Sequence, residues 1–279
     1  MLNMIKADLF RIFKGKGIYV VIAFLLFFAC MSAYSLSPVS MGLNLGDGYS
    51  HEIYGMSDEH LQELYSTDSI SKTREILQNY GDYSLDVANV AKNNNLYYFF
   101  IAIIVFVIGC DFANGTIKNT ISTNISKKKY YFSKLILALA LGTFLVFLNA
   151  IFCHTANLIM NGTEFSSSLS DIFIIIIKQL PLLYAMISIL VTISIITRKT
   201  SIYNGITIPL IIVFQIIFSS SLNLLNAPSW IMNYEWETAL TKLCLNPSNT
   251  YIFQTLGFWS IIFVIATLIG YNSFEARDI

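Results

Sequence analysis

Charge is the first thing this sequence has little of. Only 12% of its 279 residues are Asp, Glu, Lys or Arg, where a soluble domain carries roughly a quarter. The 17 basic and 17 acidic residues balance, which argues against nucleic acid as a partner. Histidine is limited to His51, His60 and His154. The four cysteines, Cys30, Cys110, Cys153 and Cys244, form no C-x-x-C pair, so no zinc site or redox pair is expected and they read as small apolar residues. The patterns H-E-x-x-H and G-x-S-x-G are missing, as are paired membrane carboxylates, which argues against a protease or hydrolase. A G-x-x-x-x-G-K phosphate loop is missing too. The chain is therefore expected to bind no cofactor or metal and to have no catalytic residues of its own.

What is abundant is apolar, at 55% of residues, and it comes in long runs. Crossing a hydrocarbon core takes about 20 apolar residues in a helix. Six segments qualify or nearly do: 17–36, 96–110, 131–160, 171–196, 203–225 and 251–274. Runs of isoleucine such as 174–177 would favour strands in water. In a bilayer each backbone group must be bonded within its own segment, so helix is the expectation. The expected fold class is all-α: one polytopic domain over 1–279, with six transmembrane helices. The first run follows a basic stretch yet is long enough to span, so it reads as a retained helix rather than a cleaved signal.

Basic residues orient the spans. With the N-terminus in the cytoplasm, twelve fall inside: Lys6, Arg11, Lys14, Lys16, Lys118, Lys127, Lys128, Lys129, Lys134, Arg198, Lys199 and Arg277. Only Lys72, Arg74, Lys92 and Lys242 fall outside. An even number of spans returns the C-terminus to the cytoplasm, and the localisation expected is the cell membrane. Residues 37–95 then form a large extracellular loop with nine acidic residues, and 58–79 within it carry an amphipathic helical pattern. Residues 226–250 mix Trp230 and Trp236 with Pro228 and Pro247, and read as short re-entrant or capping helices outside.

Residues 1–16 read as an amphipathic helix for the inner membrane surface. Leu2, Ile5, Leu9, Ile12 and Phe13 recur at helical spacing beside Lys6, Arg11, Lys14 and Lys16. Residues 111–134, DFANGTIKNTISTNISKKKYYFSK, join the second and third spans. Gly115 can turn the chain. Residues 116–125 alternate polar and apolar side chains like a short surface helix, and 127–129 can touch anionic headgroups. The physics gives either a docking elbow for a soluble partner or a solvated basic loop.

This stretch resembles the type-2 ATP-binding-cassette (ABC) permease family. The pattern is an acid, a gap of three, Gly-Thr-Ile-Lys-Asn, then Ser-basic-x-x-aromatic-x-x-Ser-Lys. Here it falls on Asp111, Gly115, Thr116, Ile117, Lys118, Asn119, Ser126, Lys127, Tyr130, Ser133 and Lys134. Asp111 stands where the family more often has Glu. Residues 274–279, FEARDI, and the pattern of Lys6, Phe10 and Lys14 agree with the resemblance. The long first outer loop is most like the Gram-positive subgroup that exports peptides or confers bacteriocin resistance. The resemblance implies an exporter of two permease subunits, the second identical or paralogous, with two ATPase subunits that carry the ATP. It implies that 115–125 is the coupling helix, with Asp111, Gly115, Thr116, Ile117, Lys118, Asn119, Ser126 and Lys127 serving that contact. The other readings are a membrane sensor or scaffold that moves nothing, and a permease for another cargo such as lipid, drug or ion.

Three polar residues inside the spans are candidates for a translocation pathway. Lys178 lies about two turns into the fourth span; it either snorkels outward or pairs with an acid such as Asp171. His154 and Asn157 share a face of the third span, where they line a path or bond between helices. Pro181 and Pro209 sit within spans and are expected to kink them.

Overall fold

The computed structural model describes residues 1–35, 96–122, 125–162, 168–225, 228–244 and 248–276. The loop 37–95, with its expected amphipathic helix and with His51 and His60, lies outside the described residues. All regular structure among the described residues is helical. In chain order the elements are α1 (Leu2–Lys14), α2 (Gly17–Ser35), α3 (Leu96–Ile104), a π-helical stretch (Val105–Gly109), α4 (Cys110–Ala113) and α5 (Thr116–Ser122). They continue with α6 (Lys127–Asn161), α7 (Leu169–Thr197), α8 (Thr200–Leu224), a 3₁₀ segment (Ser229–Tyr234), α9 (Trp236–Cys244) and α10 (Asn249–Glu275).

Serine starts three of the long helices. The first turn of a helix leaves backbone N–H groups without partners, and a serine hydroxyl accepts from one of them. Ser126 does so for Lys129 N at 3.3 Å, Ser168 for Asp171 N at 3.3 Å and Ser248 for Tyr251 N at 3.4 Å. α7 ends where Arg198 takes a left-handed conformation, φ 54°. Pro181 and Pro209 lie inside α7 and α8, and both helices run on through them.

Four helices are long and apolar enough to cross a membrane: Gly17–Tyr34, Lys127–Met160, Leu169–Thr197 and Asn249–Glu275. Two shorter apolar stretches accompany them, Tyr98–Ala113 and Thr200–Phe214. The described residues thus show four such helices rather than the six expected. The second apolar run is broken by the π-helical stretch and ends at Ala113.

α7 is the most enclosed of the long helices, packed against α6, α10, α3, α8 and α9. Its polar side chains serve as joints to α10. Ser188 shares a hydrogen bond with the Thr267 hydroxyl at 2.9 Å, and Thr192 donates to the Ala266 carbonyl at 2.8 Å. From α6, Tyr131 donates to the Thr267 carbonyl at 3.0 Å. Gly270 lets these three helices meet, because a Cβ there would lie 2.6 Å from both Thr192 Oγ1 and Tyr131 Oη. Small residues at such crossings let backbones approach in the absence of a hydrophobic drive.

The outward faces are apolar. Phe24, Phe27 and Met31 on α2, Ile174 and Ile177 on α7, and Phe253, Ile261 and Leu268 on α10 are all exposed. In water so much bare apolar area would cost about 25 cal/mol per Å². Lipid removes that cost, so the exposed faces and the long helices point to the same solvent.

Candidate functional site: a ring of charge at the basic elbow

The densest group of buried charge lies where α1, α4 and α6 meet. Asp111, at 5% exposure, is reached by Lys134 Nζ at 2.6 Å and donated to by the Tyr130 hydroxyl at 2.7 Å. Arg11 pairs with its other oxygen, which also accepts from Thr116 Oγ1 at 3.3 Å. Asp8 of α1 takes Lys134 at 2.6 Å and Arg11 at 3.1 Å. The four charges close into an alternating ring, Asp8, Lys134, Asp111, Arg11, with no net charge. Lys134 also lies 5.2 Å from the centre of the Tyr130 ring, and that ring stacks on Phe274 of α10 at 5.5 Å.

Each member is placed by its own element. Asp8, Ile12 and their neighbours Met4 and Ile5 form the inward side of α1. Asp111 is in the last turn before the chain reverses at Asn114 and Gly115. Lys134 stands two turns into α6, in line with Tyr130 and its stacking partner. The π-helical stretch joins in: Arg11 also donates to the Phe106 carbonyl at 3.3 Å, and Thr200 Oγ1 lies 3.5 Å from the Gly109 carbonyl. Such stretches recur at functional positions in helices.

Electrostatically the ring is a clamp. Buried charges cost several kcal/mol each unless they are paired and bonded. Here every charge has two opposite neighbours. Burial works against the Arg11 cation, but the hydrogen bond and charge of Asp111, with Asp8, outweigh it and raise its pKa. Arg11 is also the only member open to the surroundings, its side chain 38% exposed against 2%, 6% and 11% for Lys134, Asp111 and Asp8.

Beyond Asp111 the elbow turns on Gly115, whose φ is +64°. No atom comes within 4 Å of a Cβ built there, so it is backbone conformation, not space, that calls for glycine. α5 follows. Ile117 is buried and Ile121 packs on the core, while Lys118 is exposed. Thr116 bonds back to Asp111, and Asn119 occupies the next turn of α5. Ser126 caps α6, Ser133 is buried with its hydroxyl on the Lys129 carbonyl at 2.6 Å, and Lys127 donates to the Glu275 carbonyl at 3.1 Å. The elbow therefore has one face fixed to the bundle and one face free.

The other candidates lie elsewhere. His154 is half-buried and Asn157 fully buried on α6, while Lys178 is half-buried on α7 near the Cys244 thiol. The alternative of a Lys178–Asp171 pair fails: Asp171 is exposed and accepts from the Ser168 hydroxyl at 2.6 Å, and the described residues hold no ion pair between them. The sequence alone does not single out Asp8 or Arg11 as site residues. One signal pointed at Asp8: the lone acid of α1 falls on the same helical face as Ile5 and Ile12.

The fold and this site define a helical membrane protein in which the loop between two apolar helices is pinned by buried charge yet keeps an exposed face. The chain belongs to the ABC-2 family transporter proteins, whose family model matches residues 3–279. It is thus a membrane permease component of an ABC transporter, the transport subunit and not the ATPase, in a family that generally works with an ATPase subunit. No curated protein and no solved structure matches the chain.

Proposed function

We propose that this chain is the permease half of an ATP-driven exporter, with the ring-pinned elbow as its power input. The observation that carries the reading is α5. It is a short helix that starts after a left-handed glycine, is tied by Thr116 to the buried Asp111, and presents Lys118 outward. A helix that is to transmit force needs a free face for the partner and a rigid root in the spans, and the ring is such a root.

In this reading the chain crosses the cell membrane six times, with both termini and the elbow in the cytoplasm. Tyr98–Ala113 and Thr200–Phe214 supply the second and fifth crossings. Two ATPase subunits seat the elbows of two permeases, identical or paralogous. The cargo class is an amphipathic or hydrophobic peptide, exported or expelled for immunity. Lys178, His154 and Asn157 are the candidate pathway residues.

The test is co-purification and coupling. The chain should bring down an ATPase with a phosphate-binding loop, and Lys118→Glu should lower ATP-coupled transport while the protein stays folded. If ATP-driven transport is normal after residues 115–125 are replaced by a flexible linker, the elbow is not the input.

A further inference from the structure

We propose that α1 is a docking surface for anionic lipid headgroups, and that lipid bound there loosens the elbow by drawing Arg11 out of the charge ring. The idea rests on the elbow reading above for its consequence, but not for its chemistry.

The two sides of α1 differ in kind. Its one acid, Asp8, is turned inward and engaged by Lys134 and Arg11. Outward stand Leu2 at 66% exposure, Phe10 at 69% and Phe13, together with exposed Lys6, Lys14 and Lys16. Among the described residues of this helix and its turn, no acid is exposed. Lys14 Nζ lies 5.7 Å from the centre of the Phe10 ring, so a cation and an apolar anchor share one spot.

That surface fits a membrane rather than a protein. After Lys14 only Gly15 and Lys16 intervene before α2, a helix apolar enough to span. The C-terminal end of α1 is therefore held next to the hydrocarbon edge, where bare phenylalanines sink and lysines meet phosphates. Each lysine near an anionic surface adds about fivefold in affinity.

The link to the elbow is the one open corner of the ring. Three of the four charges are sealed, whereas the Arg11 side chain is 38% exposed and divides its donors among Asp8, Asp111 and the Phe106 carbonyl. A headgroup phosphate gathered by Lys6, Lys14 and Lys16 offers the guanidinium a two-oxygen partner of matching geometry. Taking that offer leaves Asp8 and Asp111 to share Lys134 alone. Asp111 also holds Thr116, so the first turn of α5 slackens with it.

The full-length chain is reconstituted without any ATPase in nanodiscs of pure phosphatidylcholine, and in discs with 30% phosphatidylglycerol. Backbone hydrogen exchange is then followed for residues 2–14 and 111–118. In the anionic discs α1 should exchange at least about fivefold more slowly, and residues 111–118 several-fold faster, both effects fading with added salt. The triple variant Lys6→Gln, Lys14→Gln, Lys16→Gln leaves the ring untouched and should lose both responses. Arg11→Gln should give fast exchange in 111–118 in either lipid. Equal exchange in the two lipids, or a wild-type response from the triple variant, overturns the proposal. So does protection of α1 that shows up only when an ATPase is added, which would assign the surface to a protein. Because no ATPase is needed, the lipid response can fail while the elbow still couples, and the converse.

Discussion

Two buried acids sit at opposite ends of α10 and are treated in opposite ways. Asp111, near its C-terminal end, is ringed by Lys134, Arg11, Tyr130 and Thr116. Glu235, near its N-terminal end, is 2% exposed, yet only one of its oxygens is bonded, accepting from Thr238 N at 2.9 Å and Thr238 Oγ1 at 3.0 Å. The other oxygen, Oε1, is buried with no partner. The first acid is neutralised by opposite charge and fixes three helices. The second only caps α9, and burial, with the nearby Glu237 adding to it, raises its pKa despite the Thr238 bonds. One end of the bundle is braced by charge, and the other holds a carboxyl whose neutral form burial favours.

The largest blow to this contrast is Lys134→Met. It leaves two acids with one cation, and should cost about 3–5 kcal/mol, read as a sharp fall in thermal midpoint in detergent. Adding Asp8→Asn should recover part of that loss; no recovery would mean that the pairs do not share the ring. Next comes Gln179→Leu on α7. Its amide donates to the Leu240 carbonyl and lies 3.1 Å from the Cys244 sulfur, so it helps to hold α9 down. Its loss should cost about 1–3 kcal/mol, with faster exchange confined to α9.

Smaller again is Gly115→Ala. A side chain at φ +64° costs about 1–2 kcal/mol; exchange should quicken in α5 while α9 is unchanged. The finest test is Glu235→Gln. A carboxyl whose folded pKa lies above its unfolded value makes the fold gain stability as pH falls through the folded pKa, and leaves the penalty fully present above it. α9 should therefore tighten as pH falls through the folded pKa of Glu235, and the glutamine variant should erase that dependence. Retained dependence would mean that Glu235 does not carry it.

The sequence made the long helices legible, because runs such as 171–196 satisfy a single physical demand: enough apolar length. It also exposed the elbow, since Gly115 and the lysines after Ser126 are local signals. The ring was not legible. Asp8 and Lys134 are 126 positions apart, and no periodicity reports which acid will meet which base. Of the two alternatives for Lys178, the pair with Asp171 fails for a local reason, since Asp171 accepts from its own N-cap serine. Nor did composition betray the π-helical stretch; Val105–Gly109 reads as ordinary apolar helix.

That stretch sets the phase of everything after it. An α-helix turns by about 100° per residue, so the single extra residue that a π-turn accommodates swings the next side chains around the axis by roughly that angle. Asp111 comes two residues later. Trimming one residue from this otherwise unremarkable run would leave its length nearly intact, yet would aim the carboxylate away from both of its cations and towards lipid or a neighbouring helix.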